Sequence, residues 1–193
     1  MEMFDSGYYE RIGLGEISEK VAAAERLSLE EGERLFACRD MNALGSLAHY
    51  ARTRLHGNAA FYVLNRHINY SNVCVNGCRF CAFSRKKGEA HAFELSEGEI
   101  LEKVAAHGAG LTEVHIVGGC HPELPLSRFE ALLRKIREML PDTIIKAFTA
   151  VEIAHFAKNE SISVREVLLR LKDAGLRMLP GGGAEVFSTR IRE

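Results

Sequence analysis

Residues 60–83 read Ala60-Phe-Tyr-Val-Leu-Asn-Arg-His-Ile-Asn-Tyr-Ser-Asn-Val-Cys74-Val-Asn-Gly-Cys78-Arg-Phe-Cys81-Ala-Phe83. The first part, 60–68, is rich in β-branched and aromatic side chains, which predicts a strand. The second part is a loop that carries Cys74, Cys78 and Cys81 within eight residues. Thiolates hold iron–sulfur clusters, and a cubane cluster has four irons. Three cysteines therefore leave one iron without a protein ligand, free to bind a small molecule. Other readings stand beside this one. Structural zinc needs four closed ligands, and the nearby candidates, His67 and His91, lack finger-like spacing. A disulfide framework wants an even cysteine count and a secreted context, whereas this chain has five cysteines. Chance clustering of buried thiols is the third. Cys38 and Cys120 read as structural or incidental.

Outward from this loop, helix and strand signals alternate. Residues 17–56 read as helical, with a capping-box pattern at Ser28 and Glu31, a second start near Asp40, and an end at Gly57-Asn58. After the cysteine loop, Ser96 and Glu99 open a helix that Gly108 and Gly110 stop. Glu113–Val117 is a short strand ending in Gly118-Gly119. A helix over 127–139 presents Phe129, Leu132, Leu133, Ile136 and Met139 on one face. Thr143–Phe148 is the next strand, Ser163 and Glu166 cap another helix, and Leu176–Leu179 is the fourth strand. Alternating strand and helix imply βαβ units and a parallel sheet, with right-handed connections. Four units make half of an eight-stranded barrel. The expected class is thus α/β: a (β/α) barrel of TIM type, in its N-terminal half, over residues 59–193, preceded by a helical arm over 1–58. In such barrels the site lies at the C-terminal ends of the strands. The cysteine loop, Gly118-Gly119, Thr149–Glu152 and Pro180–Glu185 all fall there.

Composition limits the function classes. The chain has 193 residues, 47% of them hydrophobic, and a formal net charge of −1, so neither nucleic acid nor an anionic membrane surface is an expected partner. No stretch approaches the ~18 continuous apolar residues of a membrane span, and the N-terminus lacks the pattern of a signal peptide. Free cysteines fit a reducing cytoplasm.

The run CVNGCRFC resembles the CxxxCxxC signature of the radical S-adenosylmethionine (SAM) superfamily, including the aromatic Phe80 before the third cysteine. Asn69–Cys74 and Cys81–Arg85 resemble the subgroup that makes menaquinone and deazaflavin precursors. Glu113-Val-His-Ile-Val-Gly-Gly119 with His121-Pro122, Lys146-Ala-Phe-Thr-Ala-Val-Glu-Ile153 and Leu179-Pro-Gly-Gly-Gly-Ala-Glu185 are most similar to the aminodeoxyfutalosine synthase family. Members of that family are about twice as long, so the chain reads as truncated at its C-terminus.

The resemblance implies roles. Cys74, Cys78 and Cys81 would ligate a [4Fe-4S] cluster whose open iron chelates SAM. Gly118 and Gly119 would offer backbone to the SAM amino group, a tight turn being the plainer reading. Phe80 would pack on the cluster or meet the adenine, unless it is core. Glu152 would hold the SAM ribose or amino group, unless it only starts a helix. Glu185 would meet a nucleoside or carboxylate. His121 is the acid–base candidate, and Asn69, Asn72 and His67 read as orienters of the loop. His115 shares a strand face with Glu113 and Val117 and reads as a satisfied histidine. The implied reaction adds the 5′-deoxyadenosyl radical to 3-[(1-carboxyvinyl)oxy]benzoate, the enolpyruvyl ether of 3-hydroxybenzoate, to form 6-amino-6-deoxyfutalosine in menaquinone biosynthesis. SAM is then a consumed co-substrate, and a reducing partner such as flavodoxin or ferredoxin is expected. Arg66, Arg177 and His121 are the candidates for the substrate carboxylates. The alternatives are the futalosine-route cyclase, a deazaflavin-precursor synthase, or an inactive cluster-binding fragment.

Overall fold

The computed structural model describes residues 6–78, 81–106, 110–181, 188 and 190. The chain divides into two compact units, 1–62 and 63–193.

In the first unit the helices are α1 (Ser6–Arg11), α2 (Gly15–Ala23), α3 (Leu29–Ala37) and α4 (Met41–His56). Helical structure thus begins before the expected residue 17. The start signals act as read. Ser28 Oγ accepts from the Glu31 N–H while the Glu31 carboxylate accepts from the Ser28 N–H, the reciprocal capping box. Asp40 caps α4 by accepting from the Ala43 N–H at 3.0 Å, and Gly57 ends it at a φ of +58°, which suits a residue without Cβ. Tyr9, Leu14, Ile17, Ala43 and Leu47 form this unit's small core.

The second unit runs β1 (Asn65–Asn69), α5 (Glu97–Ala105), β2 (Glu113–Val117), α6 (Leu126–Met139), β3 (Ile144–Ala147), α7 (Ala150–Glu160), α8 (Val164–Ala174) and β4 (Leu176–Met178). The strands lie in the order β1-β2-β3-β4, all neighbours parallel, which is the expected half-barrel sheet. The strand expected over 60–68 begins only at Asn65. Phe61 and Tyr62 are 82% and 87% exposed. The cause is the partner: β2 starts at Glu113, and the pairing begins where the Leu64 carbonyl accepts from the Thr112 and Glu113 N–H groups. β-propensity without a ladder forms no strand.

Helix α7 starts where the plainer reading of Glu152 put a helix start, with Thr149 and Glu152 as its capping box. Gly108, proposed as a helix stop, lies outside the described residues; α5 ends at Ala105 with Ala106 as its cap. Met139, assigned to the apolar face of α6, is 43% exposed, while Phe129, Leu132, Leu133 and Ile136 are buried.

Strand side chains alternate between faces. Ile68, Val114, Ile116, Ile145 and Ala147 are buried in one cluster with Ile100 and Val104 of α5, Leu132, Leu133 and Ile136 of α6, and Val167 and Leu171 of α8. Tyr70, Phe129, Phe148 and Phe156 continue it as an aromatic group with ring centroids 4.9–6.2 Å apart. Arg170 of α8 forks onto Glu130 of α6 through contacts of 2.7 and 3.0 Å, which draws the Glu130 carboxyl below its ordinary range. Among the described residues no helix is long and apolar enough to cross a membrane.

Candidate functional site

The site is built where β1 runs out. Beyond Asn69 the chain is still pinned: Ser71 bridges Glu94 and Val73 bridges Arg85. The Cys74 N–H donates to the Arg85 carbonyl at 2.9 Å and the Arg85 N–H to the Asn72 carbonyl at 2.8 Å, so the cysteine loop closes on its own base. Asn72 is the orienter the sequence suggested. Its amide donates to the His91 carbonyl at 2.9 Å and its Oδ1 accepts from the Phe93 N–H at 2.8 Å.

The three thiols differ. Cys74 is half-buried, while Cys78 and Cys81 are exposed. Cys74 Sγ accepts from the Cys120 N–H at 3.3 Å and Cys81 Sγ from the Ser84 N–H at 3.4 Å. Hydrogen bonds from the Ser84 side chain and backbone, with a smaller contribution from Arg85, draw the Cys81 thiol below its ordinary value. A thiolate is the ligating form. A pocket of about 530 Å³ opens beside them, lined by Cys74, Cys78, Arg85, Lys86, Lys87 and Pro122 among others. Among the described residues no three ligating side chains are already gathered into a metal-ion site. By donor chemistry the set fits a cluster: N–H groups aimed at sulfur, cationic neighbours for an anionic centre, and space in front of two of the thiols.

Cys120 is a different kind of cysteine. It is buried, and burial followed by the nearby Cys74 thiol pushes it up to about 12. It stays a neutral thiol that accepts from Asn76 Nδ2 at 3.3 Å, in keeping with a structural reading.

Gly118 and Gly119 have a packing reason to be glycine. A Cβ on Gly118 would lie 2.6 Å from the Tyr70 ring, and one on Gly119 would lie 2.1 Å from the Val73 carbonyl oxygen. The end of β2 therefore lies directly against the root of the cysteine loop. The Gly119 N–H donates to the Ser71 carbonyl at 2.8 Å, and its own carbonyl accepts from the Tyr70 hydroxyl at 2.9 Å.

Glu152 lies behind this junction at 1% exposure. Its Oε1 accepts from the Tyr70 hydroxyl at 2.9 Å and the Gly118 N–H at 3.0 Å. Its Oε2 accepts from the Thr149 N–H at 2.7 Å and the Thr149 hydroxyl at 2.9 Å. Burial raises its pKa, against the pull of these bonds. Burial, and then the Glu152 carboxylate, push the Tyr70 phenol well up, so it remains a donor. Both carboxylate oxygens are thus taken by internal donors. The arrangement ties the ends of β1 and β2 to the start of α7. Tyr70, given no role from the sequence, is the central member; it stands immediately after a strand, inside the Asn69–Cys74 block.

His121 is 3% exposed. Its Nδ1 accepts from the Glu123 N–H at 3.1 Å and its Nε2 faces Glu94 Oε2 at 3.1 Å. Burial lowers its pKa, with Glu94 opposing. Both ring nitrogens are engaged, which makes it a bracket between the β2–α6 loop and Glu94. Arg66 is turned to the helix side, where its Nε donates to the Lys103 carbonyl at 3.0 Å. Phe80 and Glu185 lie outside the described residues.

A model of the Radical SAM superfamily matches residues 68–189. Among curated relatives, aminodeoxyfutalosine synthase of Streptomyces coelicolor is 42% identical over 179 residues, covering 92% of this chain and 46% of the relative. The 5-amino-6-(D-ribitylamino)uracil–L-tyrosine 4-hydroxyphenyl transferase of Methanoculleus marisnigri is 40% identical over 93% of this chain and 50% of its own length. The chain spans about half the length of these curated relatives. Among solved structures, methylornithine synthase superposes with a TM-score of 0.65 at 24% identity, covering 83% of this chain and 45% of that one, a likeness of fold.

Proposed function

The chain belongs to the radical SAM superfamily, whose members use a [4Fe-4S] cluster and SAM, and we propose that it supplies the cluster- and SAM-binding part of an aminodeoxyfutalosine synthase. The observation that carries the reading is the cysteine loop itself: three thiols in one loop against the Gly118-Gly119 junction, two of them, Cys74 and Cys78, lining a pocket with cationic walls. Likeness to aminodeoxyfutalosine synthase at 42% identity across 92% of the chain supports the finer assignment.

Cys74, Cys78 and Cys81 would hold three irons and leave the fourth for the amino and carboxylate groups of SAM. A bound cluster would supply the one electron for reductive cleavage of the SAM carbon–sulfur bond. The chain's own residues prepare the place. Ser84 and Cys120 direct N–H groups at two sulfurs. Tyr70 and Glu152 hold the β1 and β2 ends together, and His121 braces the loop after β2. These three are positioning residues in this reading. The transfer proposed for the whole protein joins the adenosyl group to 3-[(1-carboxyvinyl)oxy]benzoate, with loss of the enol-ether carboxylate as bicarbonate or carbon dioxide, to give 6-amino-6-deoxyfutalosine.

Electron paramagnetic resonance of anaerobically reconstituted, reduced protein tests the reading. A cubane signal that changes shape on adding SAM is expected, and Cys78→Ser is expected to lose it with the helical circular dichroism retained. A signal indifferent to SAM, or zinc without iron and sulfide, overturns it. The likeness to the M. marisnigri transferase over 93% of the chain favours a second reading, a deazaflavin-precursor synthase. Product mass separates the two, because the first joins adenosyl to its substrate.

A further inference from the structure

The face of the sheet turned away from the helices carries polar side chains in register. His67 of β1, His115 of β2 and Lys146 of β3 are direct cross-strand partners, and Asn65 and Glu113 occupy the layer toward the strand starts. Parallel strands in α/β folds are ordinarily apolar on both faces. A row of two imidazoles, an ammonium and a carboxylate there adds nothing to a core, so it points to a ligand.

The internal bonds leave donors unused. Lys146 Nζ lies 2.9 Å from Glu113 Oε1, an ion-pair contact without hydrogen-bond alignment. An ammonium has three donors, so this contact orients the lysine without exhausting it. His67 Nε2 meets Asn69 Oδ1 at 2.9 Å, which fixes its ring as the donor there. That ring packs edge-on against His115 with centroids 4.7 Å apart. His115 Nε2 is buried and, among the described residues, has no partner. Burial, then His67 and Lys146, lower the His115 pKa, so its ring is neutral near pH 7 and offers one N–H. The layer lies two residues below Asn69, or about 7 Å along the strand, on the side of the sheet where β1 leads into the cysteine loop.

We propose that His115 and Lys146, with His67 packed beside them as a positioning residue, form a carboxylate-binding site on this face. The ammonium supplies the charge and the His115 N–H the direction. Identification of the carboxylate as the benzoate group of an enolpyruvyl ether rests on the proposed function; the anion site does not. The assignment moves the substrate-carboxylate role from Arg66, held by α5, to residues on the opposite face of the sheet.

The test is imidazole-resolved NMR of the full chain labelled at histidine, without cluster, titrated with 3-hydroxybenzoate and, separately, with its neutral isostere 3-hydroxybenzamide. Saturable shifts of the His67 and His115 ring resonances with the acid only, leaving His49 and His56 unmoved, are expected. The charge-neutral double variant Glu113→Gln/Lys146→Met is expected to weaken the acid at least tenfold. Equal response to acid and amide, no shift of either ring at millimolar acid, or unchanged affinity in the folded double variant overturns the proposal. If the acid binds here but SAM leaves the cluster signal unchanged, the functional reading falls and this site stands. If SAM perturbs the cluster but the acid moves neither ring, this site falls by itself.

Discussion

The two faces of one four-stranded sheet differ in chemistry: one is apolar, the other mixes polar side chains with Val117, Ile144 and Met178. Toward the helices, Ile68, Val114, Ile116, Ile145 and Ala147 are buried among aliphatic and aromatic side chains. One residue along each strand, His67, Glu113, His115 and Lys146 look the other way and keep polar groups only partly paired. The same backbone ladder serves both. One face contributes stability through burial, at about 25 cal/mol per Å² of apolar surface. The other carries groups whose desolvation opposes folding. Stability and chemistry are thereby separated by the two-residue period of a strand. At the rim the two meet: Tyr70 belongs to the aromatic core by its ring and to the Glu152 network by its hydroxyl.

That contrast breaks first, if it breaks, at Phe129, whose ring lies 4.9–5.0 Å from those of Tyr70, Phe148 and Phe156. Phe129→Ala is expected to cost about 3–5 kcal/mol in urea unfolding; a loss below ~1 kcal/mol would deny the helix-side face its stabilising role. At the rim, Glu152→Gln is expected to cost about 1–3 kcal/mol, because the amide would turn an NH₂ toward one of two donor pairs.

The same residue makes a pH prediction. The folded-state pKa of Glu152 is raised above its ordinary 4.5, so the folded state holds this proton more tightly. Its contribution is most favourable below 4.5 and is lost as pH rises through the folded value. The stability advantage of wild type over Glu152→Gln should therefore shrink as pH rises above 4.5. Growth of that advantage with pH would show that the four hydrogen bonds outweigh burial.

The smallest stability change is expected on the polar face. His115→Gln should lie within about 0.5 kcal/mol of wild type, since its Nε2 has no partner to lose among the described residues. A loss comparable to Phe129→Ala would make His115 a core residue and erase the distinction between the faces.

Much of the fold was legible because its signals are local. Ser28 with Glu31 and Ser96 with Glu99 form the capping boxes their spacing announces, and the alternation of elements yields the parallel order β1 to β4. The Thr149 and Glu152 pair announces α7 in the same way. Boundaries that depend on a distant partner were not legible. Residues 60–64 have strand composition, yet pairing waits for Thr112, almost fifty residues further on.

The candidate site divides along the same line. By itself the sequence determined that Cys74, Cys78 and Cys81 share one loop after a strand, since eight residues of chain hold them close in any fold. It also determined the βαβ order that sends this loop to a strand's C-terminal end. Only the tertiary structure decided that Gly118 and Gly119 are glycines for the sake of Tyr70 and Val73. It likewise gave Glu152 its four internal donors and aligned His67, His115 and Lys146 in one layer. The reason is range: a motif's spacing is set by covalent reach, whereas register and burial join residues dozens of positions apart through packing that no local pattern encodes.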